Sequence, residues 1–203
     1  MLEAKGDPAV ESSPGNPIRS LARRRLAAAL VSVLVTACAG SHGDAATPDA
    51  SLPAYSPEAA VLFDDVLAPA VFGFDPEGRT PSKDPKLKER TRQAEFVVVA
   101  RVETVSRIGG VEHHGAYPIT LDPVGAALAG DKPSEPIVLR VPATNPSYTW
   151  VDGAGAHWVG SQLIVFARHY QGDPGAALHF RCEPDTPDMR AAVDRNAGLR
   201  LLR

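Results

Sequence analysis

The stretch "FVVVARVETVSRIGG", residues 96–110, changes character half-way along. It opens on a run in which β-branched residues dominate, and from Arg101 onward Arg101 and Glu103 alternate with Val102. The first half suits a buried strand and the second the period-two pattern of a strand with one face in water. A strand that leaves the core midway is predicted here.

Further strands are predicted at "AYPITL" (116–121), "PIVLRV" (136–141), "SYTWV" (147–151), "QLIVFARHY" (162–170) and "ALHFRC" (177–182). The turn signals "GDKPSEP", "ATNP", "DGAG" and "QGDPG" separate them. Before the strands, Ser56 can cap a helix and Pro57 suits its first position; Ala59, Leu62, Phe63, Val66 and Leu67 form one apolar stripe that Pro69 ends. Asp84 and Pro85 start a short second helix that reaches about Glu95. After the strands, Thr186, Pro187 and Asp188 open a last helix and Gly198 lies just beyond its close. Strands in a row with helices at the two ends, and no βαβ alternation, predict an α+β fold: a mainly antiparallel sheet or small barrel of six strands, with a helix before and after it. The strands "EFVVVARV", "EPIVLRV" and "VGSQLIVFARHY" are loosely similar to those of netrin-like barrels related to tissue inhibitors of metalloproteinases. The disulfide-bonded Cys-x-Cys wedge of those inhibitors has no counterpart here, so protease inhibition is not implied.

Upstream, "RRRLAAALVSVLVTACAG" (23–40) places three arginines before an apolar run from Leu26 to Ala37. Twelve residues make a helix of about 18 Å against a hydrocarbon core of about 30 Å, so the run is too short to span a membrane and reads as a secretory signal peptide. Val35, Thr36, Ala37 and Cys38 resemble the lipobox of bacterial lipoproteins. The resemblance implies that residues 1–37 are removed, that the Cys38 thiol carries a diacylglyceryl group, and that the new amine is acylated. Two or three long chains would make the membrane anchor effectively permanent. Ala39 follows the cysteine, where an inner-membrane retention aspartate is absent; by family analogy this points to the outer membrane of a diderm cell, or otherwise to the outer face of the cell membrane. The acidic, turn-rich first 22 residues suit a targeting region poorly, which suggests a non-AUG start at Val10 or Leu21, the alternative being a long but functional n-region. Residues 38–56, poor in large apolar side chains, are expected to form a lipidated flexible tether, and 57–203 a single β-rich domain.

Removing residues 1–37 takes 5 of 21 basic and 3 of 24 acidic residues, leaving 16 against 21 and a net charge of −5. No basic cluster survives to bind nucleic acid. With Cys38 lipidated, Cys182 has no disulfide partner; beside Leu178 and Phe180 at strand spacing it is expected to be a buried, inert thiol.

Catalytic and cofactor motifs are absent: there is no G-x-S-x-G, H-E-x-x-H, Walker loop, EF-hand or C-x-x-C, and "DGAGAHWVG" fails the dinucleotide spacing. No cofactor is therefore expected. If "QGDPGA" turns a hairpin whose facing residue numbers sum to 348, His169 faces His179, Ala167 faces Arg181 and Cys182 faces Phe166 on the other side. Two imidazoles so placed, with His113, His114 or His157 from loops, are candidate metal ligands; Arg181 on the same face opposes a cation. Tyr148, Trp150 and Trp158 surround a glycine-rich loop and form a candidate binding surface for an envelope protein or a glycan, with core packing as the alternative. The expectation is a surface-tethered envelope lipoprotein with a non-enzymatic binding or scaffolding domain. The competing readings are a secreted hydrolase, marked by a deep polar cleft, and a metal-binding lipoprotein, marked by clustered imidazoles.

Overall fold

The computed structural model describes residues 52–74, 80–109, 115–173 and 175–198. Helix α1 (Pro57–Leu62) and a two-residue strand β1 (Val66–Leu67) lead to helix α2 (Leu87–Gln93) and strands β2 (Phe96–Val105), β3 (Ala116–Gly130) and β4 (Ile137–Pro142). Helix α3 (Tyr148–Ala154), strands β5 (Gln162–Gly172) and β6 (Gly175–Pro184) and helix α4 (Pro187–Gly198) complete the order, with 3₁₀ turns at Pro69–Phe72, Pro81–Lys83 and Gly155–Trp158. The strands form one curled six-stranded sheet in the order β1-β6-β5-β2-β3-β4, antiparallel throughout except for β1 beside β6. The α+β class predicted from the sequence is the one observed.

Strand β2 occupies the middle of the sheet and behaves as its sequence requires. Phe96 to Ala100 are all buried, then Arg101 is exposed, Val102 buried and Glu103 exposed. Because neighbouring side chains point to opposite faces, the buried half of β2 serves two cores. Val98, Ala100 and Val102 join Ile119, Leu139, Val165 and Phe180 on one face, under Val151 of α3 and Trp158. Val97 and Val99 join Ile164 and Phe166 on the other, under Leu62 and Phe63, Leu87 of α2, and Met189 and Val193 of α4.

The caps read from the sequence are in place: Ser56 Oγ accepts from the Ala59 amide and Thr186 Oγ1 from the Met189 amide. Two elements differ. The first helix ends at Leu62 instead of running to Pro69, because Asp65 takes a left-handed φ of 57° and Val66–Leu67 pair with Arg181 and Cys182 as β1. The segment 147–151 is not a strand but most of α3. Asn145 accounts for this: its side chain accepts from the Ser147 amide and its carbonyl from the Tyr148 amide, which turns the chain into a helix despite its β-prone residues. Ser147, buried, then accepts from the Leu67 amide at 2.9 Å and donates back to the Leu67 carbonyl, closing the outer edge of β1.

The folded part also begins earlier than residue 57. Ala54 bridges to Gln171, and the Gln171 amide donates to the Pro53 carbonyl at 2.9 Å. Cys182 is fully buried in the first core, where burial pushes its thiol well above the usual range, in line with an inert cysteine. Cys38 lies outside the described residues. No described helix is long and apolar enough to cross a membrane.

Candidate functional site

The hairpin β5–β6 decides the histidine question. Gly172 pairs with Gly175, leaving two residues in the turn, so partners sum to 347: His169 faces Leu178 and Arg168 faces His179. The expected facing of the two histidines is corrected by one residue, and a slip of one moves a side chain to the opposite face. Gly175 makes the tighter turn accessible through its φ of 77°. Cys182 accordingly faces Val165, not Phe166.

On its own face His169 is exposed and its Nδ1 lies 2.9 Å from Glu95. His179 stands in a built environment. Its Nδ1 is 2.8 Å from Asp65 Oδ2, its ring stacks on Tyr55 at 3.5 Å and 7°, and Tyr170 meets it edge-on at 5.7 Å. Asp65 also accepts from the Phe180 amide at 3.0 Å, while its carbonyl accepts from Asn145 Nδ2. Burial raises the Asp65 carboxyl above its ordinary range, and burial with Asp65 and Asp64 nearby pushes the Tyr55 phenol up to about 12. Neither Asp65 nor Tyr55 was among the residues singled out in the sequence; they lie 114 and 124 positions from His179. Among the described residues no three His, Cys, Asp or Glu side chains are grouped to hold a metal ion, and His113 and His114 lie outside them.

These contacts define a stability prediction. Because the folded state raises the Asp65 carboxyl, its charged form is disfavoured on folding, a cost present at neutral pH and relieved as pH falls through the folded value. Asp65→Asn keeps an acceptor for the Phe180 amide and tolerates the left-handed backbone. It is expected to hold or raise the urea midpoint at pH 7, with the difference from wild type shrinking on acidification. Asp65→Ala, which loses both properties, is expected to cost about 1–3 kcal/mol.

The aromatic residues gather elsewhere. After β1 the Ala68 amide still donates to the Cys182 carbonyl, then Pro69 starts a 3₁₀ turn, and Gly73 at φ 79° swings the chain outward. Phe72 points back to Trp158 at a ring separation of 4.7 Å and stacks on Trp150 at 6.4 Å and 16°. Phe74, 47 % exposed, tilts over Trp150 at 5.0 Å and 33°. Of the predicted surface, Trp150 is half-buried on this shelf and Trp158 is buried beneath it with an indole N–H that meets no acceptor among the described residues. Tyr148 belongs to a separate contact, 5.2 Å from Tyr117, whose phenol donates to Asp152 and is raised by that bond and by burial.

Beside the shelf is an open cleft of about 350 Å³, lined by Val71, Phe72, Ala154, His157, Trp158 and Ser161 among others. Among the described residues its lining holds one imidazole and one hydroxyl but no carboxylate, ammonium or guanidinium. Phe72 and Phe74 were not singled out in the sequence, although "VFGF" (71–74), two phenylalanines flanking a glycine, is the local signal for an outward aromatic turn. No family model matches this chain, and no curated protein or solved structure matches it either.

Proposed function

We propose that this protein is a lipid-anchored component of the cell envelope whose folded domain binds instead of catalysing, with the aromatic shelf as its contact surface. The observation that carries the binding half is the placement of Phe74 and Trp150, large apolar rings partly open to solvent, beside a cleft whose described lining carries no charged side chain. Aromatic rings supply large contact area at low conformational cost and anchor recognition surfaces. The anchoring half rests on the lipobox-like Val35–Thr36–Ala37–Cys38 and the apolar run before it.

Each half has its own test. In cell fractionation the wild-type protein is expected with the membranes, and Cys38→Ser is expected to release it or leave an uncleaved precursor. A mature N-terminus that mass spectrometry places elsewhere, without lipid, defeats the anchor. For the surface, Phe74→Ala is expected to abolish retention of the protein on isolated envelope material while leaving its thermal unfolding unchanged. Unchanged retention removes the shelf from the binding function.

A further inference from the structure

From the chemistry of the cleft we infer that the shelf receives a neutral saccharide, a pyranose chain whose rings lie on Trp150 and Phe74. This deepens the preceding proposal and rests on its reading of the shelf as the contact surface. A pyranose ring has one face of C–H bonds and a rim of hydroxyls, so it needs an aromatic plane below and a few neutral hydrogen-bonding groups beside it. Both are present: the tilted pair Phe74 and Trp150, then His157 and Ser161 in the adjoining cleft. The volume of about 350 Å³ falls at the small end of ligand sites, enough for one or two rings and too little for a folded partner's side-chain cluster.

Charge selects against the alternatives. Among the described residues the lining carries no carboxylate, ammonium or guanidinium, so it compensates neither a carboxylate nor an ammonium brought out of water. An aromatic-lined groove also suits polyproline helices, but those are held by parallel slots between rings. Here the outer rings meet at 33° and present a bent platform, not a slot.

The two tryptophans of the chain, Trp150 and Trp158, both stand at this site, so selectively excited tryptophan fluorescence reports on it alone. The experiment titrates the full-length protein, in a zwitterionic detergent that carries no sugar, with chitotetraose, cellotetraose, tetragalacturonate and a decaproline peptide. A neutral tetrasaccharide is expected to perturb the emission with a dissociation constant of about 0.01–1 mM, at least about tenfold tighter than the acidic one. By calorimetry Phe74→Ala and Trp150→Ala are each expected to weaken that binding about tenfold, with thermal unfolding of Phe74→Ala unchanged. A response to decaproline alone, or to none of the four probes, overturns the saccharide. Sugar binding that Phe74→Ala and Trp150→Ala leave intact overturns it too. Failure here with Phe74-dependent retention on envelope material intact leaves the contact surface standing; loss of both removes it.

Discussion

Truncating Arg90 to alanine is expected to cost the domain about 3–5 kcal/mol, the range for stripping one partner from a buried ion pair. Arg90 is 2 % exposed, an unusual place for a guanidinium, and nearly every face of it is occupied. Its Nε donates to the Leu62 carbonyl at 2.8 Å, one terminal nitrogen donates to Asp84 at 2.9 Å, and the cation lies over the Phe166 ring at 5.7 Å. The same nitrogen is 3.9 Å from Glu183, itself buried and held by Arg181 at 2.8 Å. The side chain thus ties the end of α1, the start of α2 and strand β6 together. Alanine leaves the Leu62 carbonyl without its donor, weakens the compensation of two carboxylates and opens a space against Phe166. Urea denaturation reads the loss as a lower midpoint at unchanged slope. Arg90→Met, which refills the space without the charge, should recover the packing part only. A variant within about 0.5 kcal/mol of wild type would mean that Arg181 alone balances Glu183.

Gly130→Ala is the second large effect, and Gly125→Ala is its control. Both glycines have φ near 70°, where an alanine costs about 1–2 kcal/mol for the backbone alone. They differ in what a new methyl meets. At Gly125 there is nothing within 4 Å, whereas at Gly130 the added carbon would stand 1.9 Å from the Glu95 carbonyl oxygen, a backbone atom that cannot swing aside. Gly130 pairs with Phe96, so relief requires the end of β3 to separate from the start of β2. Adding about 1–3 kcal/mol for forced overpacking places Gly130→Ala at about 2–5 kcal/mol in total, clearly beyond Gly125→Ala. Equal thermal shifts for the two would refute the close approach.

How much of this was legible depended on whether the deciding contact was local. The two-faced burial of β2 stood in the alternation after Ala100, and both caps stood in Ser56-Pro57 and Thr186-Pro187. The hairpin's existence was legible in "QGDPG", but its register hung on whether Gly175 belonged to the turn or to β6, and the sequence supports either count. A tertiary partner overrode local preference once, where Val66–Leu67 left a helical stripe to pair with β6; in the β-prone "SYTWV" one local signal overrode another, the Asn145 turn setting the chain into a helix. Of the aromatic shelf, Trp150 and Trp158 were among the residues read from the sequence as a candidate surface. The third, Tyr148, packs elsewhere, and Phe72 and Phe74 arrive from a turn some 75 residues upstream of Trp150. The partners of His179 were illegible for the same reason, since stacking on Tyr55 has no trace in sequence spacing.

The stitching of Pro53 and Ala54 to Gln171 has a mechanical consequence. A pull on the preceding residues enters the fold at the late end of β5, nine positions from Gln162, whereas the cleft residue Ser161 adjoins that strand's beginning. At about 3.3 Å per residue the point of traction and the cleft are separated by roughly 30 Å along one strand. A force applied ahead of Pro53 therefore meets the Ala54 bridge and the Tyr55 stack first, at the end of β5 remote from the aromatic residues.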